Sequence, residues 1–212
     1  MNLKKRLLKE SRLYVIVDKK VSGSRSIFDI VSKIKDLGAD IIQLRDTESK
    51  KESILKEAYR LRKLLTQSRT LFIVNDYIDI AKIVDSDGIH LGQNDLPLDT
   101  ARHLLGKDKI IGISCHNLNQ AIAAQKNGAD YISIGPIFPT PIKPEYKSVG
   151  LDLIRKMKKA IHIPFFVIGG INENNLNNIL PLGIKRAALC RAVCQAKNIA
   201  SSIKNLRRQL DN

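Results

Sequence analysis

The chain has 212 residues, 43% of them hydrophobic, with 12 Gly, 7 Pro and no Trp. A chain of this length buries most of its apolar surface, which fits one globular domain or two small ones and excludes a mainly disordered, collagen-like or coiled-coil chain. Lys and Arg number 36 against 21 Asp and Glu, a net +15, but they are spread from Lys4 to Arg208 and aromatics are only 5%; without cations interleaved with stacking rings, a nucleic-acid partner is not expected, and an anionic small substrate accounts for part of the excess.

Residues 1–12 are basic, and Leu3, Leu7 and Leu8 share one face of a short helix expected to pack on the domain. The segment lacks the apolar stretch and small-residue cleavage site of an export signal. Cys115, Cys190 and Cys194 make no even disulfide set, so a reducing cytoplasm is the expected location. The longest apolar run, Ile163–Ile168, is strand length, far short of the ~20 residues that span a bilayer, so no membrane partner is expected.

Short β-branched runs then alternate with segments of helical period. The spacing predicts strands at Leu13–Val17, Asp40–Leu44, Leu71–Asn75, Gly88–Leu91, Lys109–Ile113, Tyr131–Ile134, Pro164–Ile168 and Arg186–Cys190. They read as near-continuous apolar runs, as strands covered on both faces do. Between them the period predicts helices at Ser26–Leu37, Ser49–Leu65, Tyr77–Val84, Leu98–Leu105, Leu118–Asn127, Leu151–Ala160, Glu173–Leu180 and Asn198–Leu210. A weak repeat, Gly38-Ala39-Asp40 and Gly128-Ala129-Asp130, with Ser86-Asp87-Gly88 and Gly183 at comparable points, suggests left-handed helix ends before the next strand. Four of the seven prolines fall in 136–144, which reads as a stiff loop. Eight strand–helix units without a composition break predict an α/β fold, a (β/α)8 TIM barrel in a single domain covering 1–212. An open doubly wound sheet would want a Gly-rich fingerprint after the first strand, where the chain has Asp18-Lys19-Lys20.

In such barrels chemistry sits at the C-terminal ends of the strands. There the chain places Gln43, Arg45 and Asp46, then Asn75 and Asp76, then His90, Gln93 and Asp95, then Ser114, Cys115 and His116, then Thr140 and Lys143, then Gly169-Gly170, and finally Arg191. Some polar residues here are expected simply as helix caps, and Asp18 reads as one. Asp76 and Asp95, on neighbouring strand ends, suit a hard cation such as Mg²⁺ that keeps waters and substrate phosphates as its other ligands. Arg45, Asn75 and Lys143 suit phosphate oxygens. Gly169-Gly170 is expected to open a helix whose backbone N–H groups form a second anion site. Ser114 and His116 read equally as cap and loop imidazole or as a catalytic pair.

The strings Gln43-Leu44-Arg45-Asp46, Val74-Asn75-Asp76, Gly88 through Pro97 (GIHLGQNDLP), Gly112-Ile113-Ser114, Gly128-Ala129-Asp130-Tyr131, Gly135 through Thr140 (GPIFPT) and Ile168-Gly169-Gly170-Ile171 resemble thiamine phosphate synthases, in the family's order, from about Leu13 to Val193. The resemblance implies a (β/α)8 barrel transferase of thiamine biosynthesis. It would join hydroxymethylpyrimidine diphosphate to hydroxyethylthiazole phosphate, or its carboxylated form, through a dissociative pyrimidine carbocation. Carried over by motif, Gln43, Arg45, Asn75, Ser114 and Lys143 bind the pyrimidine diphosphate. Thr140 and its two followers, Gly170, Cys190 and Arg191 face the thiazole phosphate, and Asp76 and Asp95 hold Mg²⁺.

Three positions depart from the family's pattern. Thr47 stands where the family has Lys in the pyrimidine diphosphate site. Ile142 stands where it has Thr, and Arg191 where it has Ser. A guanidinium grips phosphate in two places, so Arg191 is expected to replace the donor lost at Ile142. A thiazole tautomerase on the same barrel remains the alternative, with His116 as its working residue; it needs neither the Asp pair nor Asn75 and Lys143. A non-catalytic phosphate- or nucleic-acid-binding barrel is the second alternative and would tolerate loss of Asp76 and Asp95. The expected partners are small phosphorylated molecules, and a homodimer is compatible with the sequence. Cys190 and Cys194 have no matching pair at zinc spacing; His103 and His162 read as surface or packing residues.

Overall fold

The computed structural model describes residues 2–142 and 147–212. In chain order it runs α1 (Leu3–Glu10), β1 (Leu13–Asp18), α2 (Lys19–Ser22), α3 (Ile27–Ile34), β2 (Ile41–Arg45), α4 (Lys51–Leu65), β3 (Leu71–Asn75), α5 (Ile78–Ile83), β4 (Gly88–Leu91) and α6 (Leu98–Leu105). It continues β5 (Ile110–Cys115), α7 (Leu118–Lys126), β6 (Tyr131–Ile134), α8 (Gly150–Ala160), β7 (Phe165–Ile168), two 3-10 turns (Leu176–Asn178 and Leu180–Leu182), β8 (Ala187–Leu189), α9 (Arg191–Cys194) and α10 (Ile199–Asp211). The strands are parallel and close into a barrel in sequence order, β8 returning to β1 with Leu13 opposite Ala187. Every strand overlaps its expected range.

Side-chain alternation divides the core in two. Leu13, Val15 and Val17 point outward to the helices, in one continuous apolar layer with Ile30, Ile34, Leu61, Ile154 and Leu206. Tyr14 and Ile16 point inward with Ile41, Ile73, Ile110, Tyr131 and Phe166, filling the barrel. Leu8 of α1 joins that inner cluster from below, so the basic N-terminal helix is a plug under the barrel floor. Asn2 caps it through Lys5 N at 3.0 Å. Lys4 and Lys5 anchor it to Asp87 and Asp130 at 3.1 and 2.9 Å.

Those aspartates belong to a repeated device. Asp40, Asp87 and Asp130 precede β2, β4 and β6, and each carboxylate accepts an N–H of the strand before it, from Leu13, Phe72 and Ile111, all at 2.9 Å. Each also pairs with an arginine of an outer helix: Arg207 at 2.6 Å, Arg62 at 3.1 Å and Arg102 at 2.5 Å. This is what the Gly-Ala-Asp repeat encodes. Gly38 (φ 103) and Gly128 (φ 89) make the left-handed turn, but in the third copy Asp85 (φ 53) does so. Gly88 instead lies within β4, where an added Cβ would fall 2.1 Å from the Ile110 carbonyl oxygen.

The helix expected over Glu173–Leu180 does not form, and no helix opens at Gly169-Gly170. Asparagine side chains capture the backbone instead: Asn172 Oδ1 accepts from Asn174 N and Asn175 Oδ1 from Asn172 N, both at 2.9 Å, and Asn175 Nδ2 donates to the Gly170 carbonyl at 2.9 Å. Such local bonds compete with the helical ladder, and Pro181 at the start of the second 3-10 turn removes a donor.

Candidate active site

A cavity of about 420 Å³ opens at the C-terminal ends of the strands. Its wall brings together Gln43 and Arg45 from β2, Asn75 from β3, Ser114 from β5 and His116 just beyond it. Thr140 and Ile142 join from the loop after β6, Gly170 from the loop after β7, and Cys190 and Arg191 from the start of α9. Thr47, Asp76 and Asp95 do not form part of that wall, and Lys143 lies outside the described residues.

Gln43 is buried and its Nε2 donates to the Tyr14 hydroxyl at 2.7 Å. Arg45 makes an ion pair with Asp18, whose side chain is only 2% exposed. Asp18 also caps α2, its Oδ1 accepting from Val21 N at 3.0 Å. The cap reading of Asp18 was therefore half of its role: it is a wall residue that fixes the guanidinium toward the cavity. Ser114 Oγ lies 2.9 Å from Nε2 of the buried His90. His90 also lines the cavity; in sequence it shows only its place at a strand end, and nothing in the run marks what it meets inside the barrel.

On the other side, Gly170 (φ 64) is pressed against the loop that carries Thr140. A Cβ there would fall 2.6 Å from the Pro139 carbonyl oxygen, so only glycine lets the two loops meet. The Ile142 backbone N–H donates to Thr140 Oγ1 at 3.4 Å, and Ile142 adds no side-chain donor. Arg191 is the first residue of α9 and is exposed at the rim. Cys190 precedes it, its thiol pushed up by the hydrogen bond with Cys194 and by burial. Cys115 is also in the wall, and burial pushes its thiol up to about 12. His116 Nδ1 sits 2.7 Å from the Gly135 carbonyl oxygen; a carbonyl only accepts, so Nδ1 carries a hydrogen.

Asp76 sits at the end of β3 with a left-handed backbone (φ 59), its N–H bonded to the His90 carbonyl at 3.0 Å. Asp95 is exposed after β4 and its Oδ2 accepts from Gly92 N at 2.6 Å. A left-handed non-glycine residue is a strained conformation of the kind that clusters at functional sites. Among the described residues no group of three or more His, Cys, Asp or Glu is placed so that it could hold a metal ion. Asp76 and Asp95 offer carboxylate oxygens, a donor type that suits a hard ion keeping most of its shell for water and substrate and not a closed protein cage.

Fold and cavity together define a (β/α)8 barrel with a largely apolar pocket at the C-terminal ends of its strands, into which Arg45 and Arg191 bring positive charge, an arrangement suited to anionic substrates. Residues 13–193 match the family model described as thiamine monophosphate synthase. The chain belongs to this family of thiamine-biosynthesis transferases. It is 42% identical over 200 residues to a thiamine-phosphate synthase of Shouchella clausii, covering 94% of this chain and 96% of the relative. To one of Lawsonia intracellularis it is 40% identical over 202 residues, covering 95% and 93%. Among solved structures, thiamine phosphate pyrophosphorylase from Pyrococcus furiosus superposes with a TM-score of 0.87 at 32% identity, over 99% of this chain and 98% of that one. A 3-hexulose-6-phosphate synthase superposes with a TM-score of 0.64 at 15% identity, a likeness of fold alone. No helix among the described residues is long and apolar enough to cross a membrane.

Proposed function

We propose that this chain makes thiamine phosphate, joining hydroxymethylpyrimidine diphosphate to hydroxyethylthiazole phosphate, or its carboxylated form, with release of diphosphate. The observation that carries the reading is the two-sided cavity in a chain of this family: Gln43, Arg45, Asn75 and Ser114 on one side, Thr140, Gly170, Cys190 and Arg191 on the other. Two phosphorylated substrates need two anion-binding walls facing one space. A reaction that runs through a pyrimidine carbocation needs a stabilised leaving group more than a strong base. Arg45, braced by Asp18, supplies fixed positive charge where the diphosphate departs, and Asn75 and Ser114 supply neutral polar contacts. Apolar wall residues such as Ile16, Ile168 and Ile171 exclude water from the cation. Arg191 grips the thiazole phosphate in place of the hydroxyl that Ile142 lacks, and Thr47 leaves the diphosphate without the cation that the family's pattern implies there.

Asp76 and Asp95 fit Mg²⁺ by donor type and are the residues that would hold it. When bound, the ion would neutralise charge on the departing diphosphate. A reducing cytoplasm is consistent with three unpaired cysteines; the partners of this reading are the two small phosphorylated substrates, and it is compatible with a homodimer.

A second reading, thiazole tautomerase, rests on the place of His116 in the cavity wall. One assay separates the two: purified protein, both substrates and Mg²⁺, with EDTA and Asp95→Ala as controls. Metal-dependent thiamine phosphate, lost in both controls, is expected. Folded protein that gives no thiamine phosphate but isomerises the carboxylated thiazole phosphate in a His116-dependent way would replace this reading. Activity that survives both controls would remove the metal from it.

A further inference from the structure

Beneath the cavity the barrel interior carries a chain of polar side chains where apolar layers are the rule. Gln43 Nε2 lies 2.7 Å from Tyr14 Oη, and Tyr14 Oη lies 2.8 Å from Tyr131 Oη. Tyr131 Oη is 2.9 Å from His90 Nδ1, and His90 Nε2 is 2.9 Å from Ser114 Oγ and 3.3 Å from Ser133 Oγ. Phe166 closes over both tyrosines edge-on, with ring centroids 5.3 and 5.7 Å away. Both tyrosines are fully buried, which pushes their phenols well above the usual range, so each holds one proton to donate.

Counting protons gives the chain a direction. The Gln43 amide N–H donates to Tyr14 Oη, so the Tyr14 proton goes to Tyr131 Oη. The Tyr131 proton then goes to His90 Nδ1. His90 Nδ1 is thereby an acceptor, its Nε2 carries the hydrogen, and that N–H donates to Ser114 Oγ. The Ser114 proton is left to aim elsewhere, and Ser114 lines the cavity. The two ends of the chain thus face the ligand with opposite polarity: an amide acceptor at Gln43 and a hydroxyl donor at Ser114.

We propose that His90 is a positioning residue, held as the Nε2–H tautomer by Tyr131, that fixes Ser114 as a proton donor to the bound pyrimidine diphosphate and sets Gln43 as the acceptor for its ring amino group. The ligand assignment rests on the function proposed above; the tautomer does not. Gly112 is part of the same device: a Cβ there would fall 2.0 Å from Tyr131 Cζ, so glycine on β5 makes the space in which the Tyr131 ring lies across the barrel.

Two measurements on the protein test this. Long-range 1H–15N correlation spectra of histidine-labelled protein report which ring nitrogen of His90 carries hydrogen. The Nε2–H form is expected, and a mixture of forms once Tyr131→Phe removes the phenol oxygen and keeps the ring. An Nδ1–H form or an imidazolium in the parent, or an unchanged tautomer in Tyr131→Phe, overturns the proposal. The second is a double-mutant cycle. His90 also lines the cavity, so the cycle separates an effect through Ser114 from a direct contact: if His90 acts through Ser114, His90→Leu costs about tenfold in kcat, with the KM for thiazole phosphate within about twofold. His90→Gln, which restores an N–H donor, should recover most of that loss. His90→Leu combined with Ser114→Ala should be no slower than Ser114→Ala alone. Multiplying losses in the double variant overturn the proposal even if every variant folds. If the parent protein makes no thiamine phosphate, the functional reading fails while the spectra still decide the tautomer.

Discussion

Replacing Asp18 by asparagine separates two roles of one carboxylate. Asp18 is 1% exposed; it caps α2 through Val21 N and pairs with Arg45. Asparagine keeps the shape and the cap, since it is as good an N-cap as aspartate, and removes only the charge. Removing one partner of a fully buried pair costs about 3–5 kcal/mol. The Arg45 side chain is 22% exposed at the cavity wall, so solvent stabilises the orphaned guanidinium in part and the expected cost of Asp18→Asn falls to about 1–2 kcal/mol. For a chain of this size that lowers the melting temperature by about 2–8 °C. Asp18→Ala loses the cap too, about 1 kcal/mol more. Arg45 also loses its anchor, so the KM for pyrimidine diphosphate should rise and that for thiazole phosphate should not. Urea and thermal unfolding of the parent and both variants, read beside steady-state kinetics, give all of these quantities. An Asp18→Asn protein that melts with the parent and keeps its KM would refute the bracing role, and equal stability of the Asn and Ala variants would refute the capping role.

Leu8 is 2% exposed against the inner core whereas Leu3 is 60% exposed. Urea midpoints should therefore show Leu8→Ala costing about 3 kcal/mol and Leu3→Ala within about 0.5 kcal/mol; similar losses would mean that α1 does not plug the floor. Gly112→Ala forces the Tyr131 ring to move and should cost about 2–3 kcal/mol by overpacking, with the His90 ring resonances shifting; a neutral result would show that the ring is not confined there. Cys115, held as a thiol by burial, should stay unlabelled by iodoacetamide at mildly alkaline pH until the protein is unfolded, as read by peptide mass spectrometry. Rapid labelling in the native state would contradict its buried placement.

The fold was legible because parallel barrel strands are buried on both faces and so write themselves as apolar runs. β3, β4 and β6 begin and end at the residues expected. Helices with a wide apolar stripe, such as α3 and α4, were equally clear. The segment 173–180 misled because periodicity counts its leucines and isoleucines but not the competition from asparagine side chains for backbone partners. The helices α2 and α9, of four residues each, are too short to show a period. At the site, residues in loops after strands were visible as polar exceptions, and the cavity gathers most of them. What sequence could not show is which member of a strand faces inward and what it meets there. Tyr14 and Tyr131 read as ordinary core, yet they link Gln43 to His90 and Ser114. Asp18 read as a cap because nothing local ties it to Arg45 on the next strand.

Closure of the barrel between β1 and β8 gives the chain a particular order of assembly. Neighbouring strands elsewhere are joined by one local connection, but the pairing of Leu13 with Ala187 joins the two ends of the sequence, and the loop to be closed is most of the chain. Arg12 of the entrance donates to the Leu210 carbonyl and pairs with Asp211 of the exit, and Arg207 reaches back to Asp40. During synthesis β1 therefore waits with an open edge until the last strand and helix emerge, and β7 waits with it. A chain stopped before Ala187 is a sheet with two adhesive borders, prone to pairing with its own copies. The carboxy-terminal helix acts as the clasp of a ring, and its final turn bears on solubility as much as on stability.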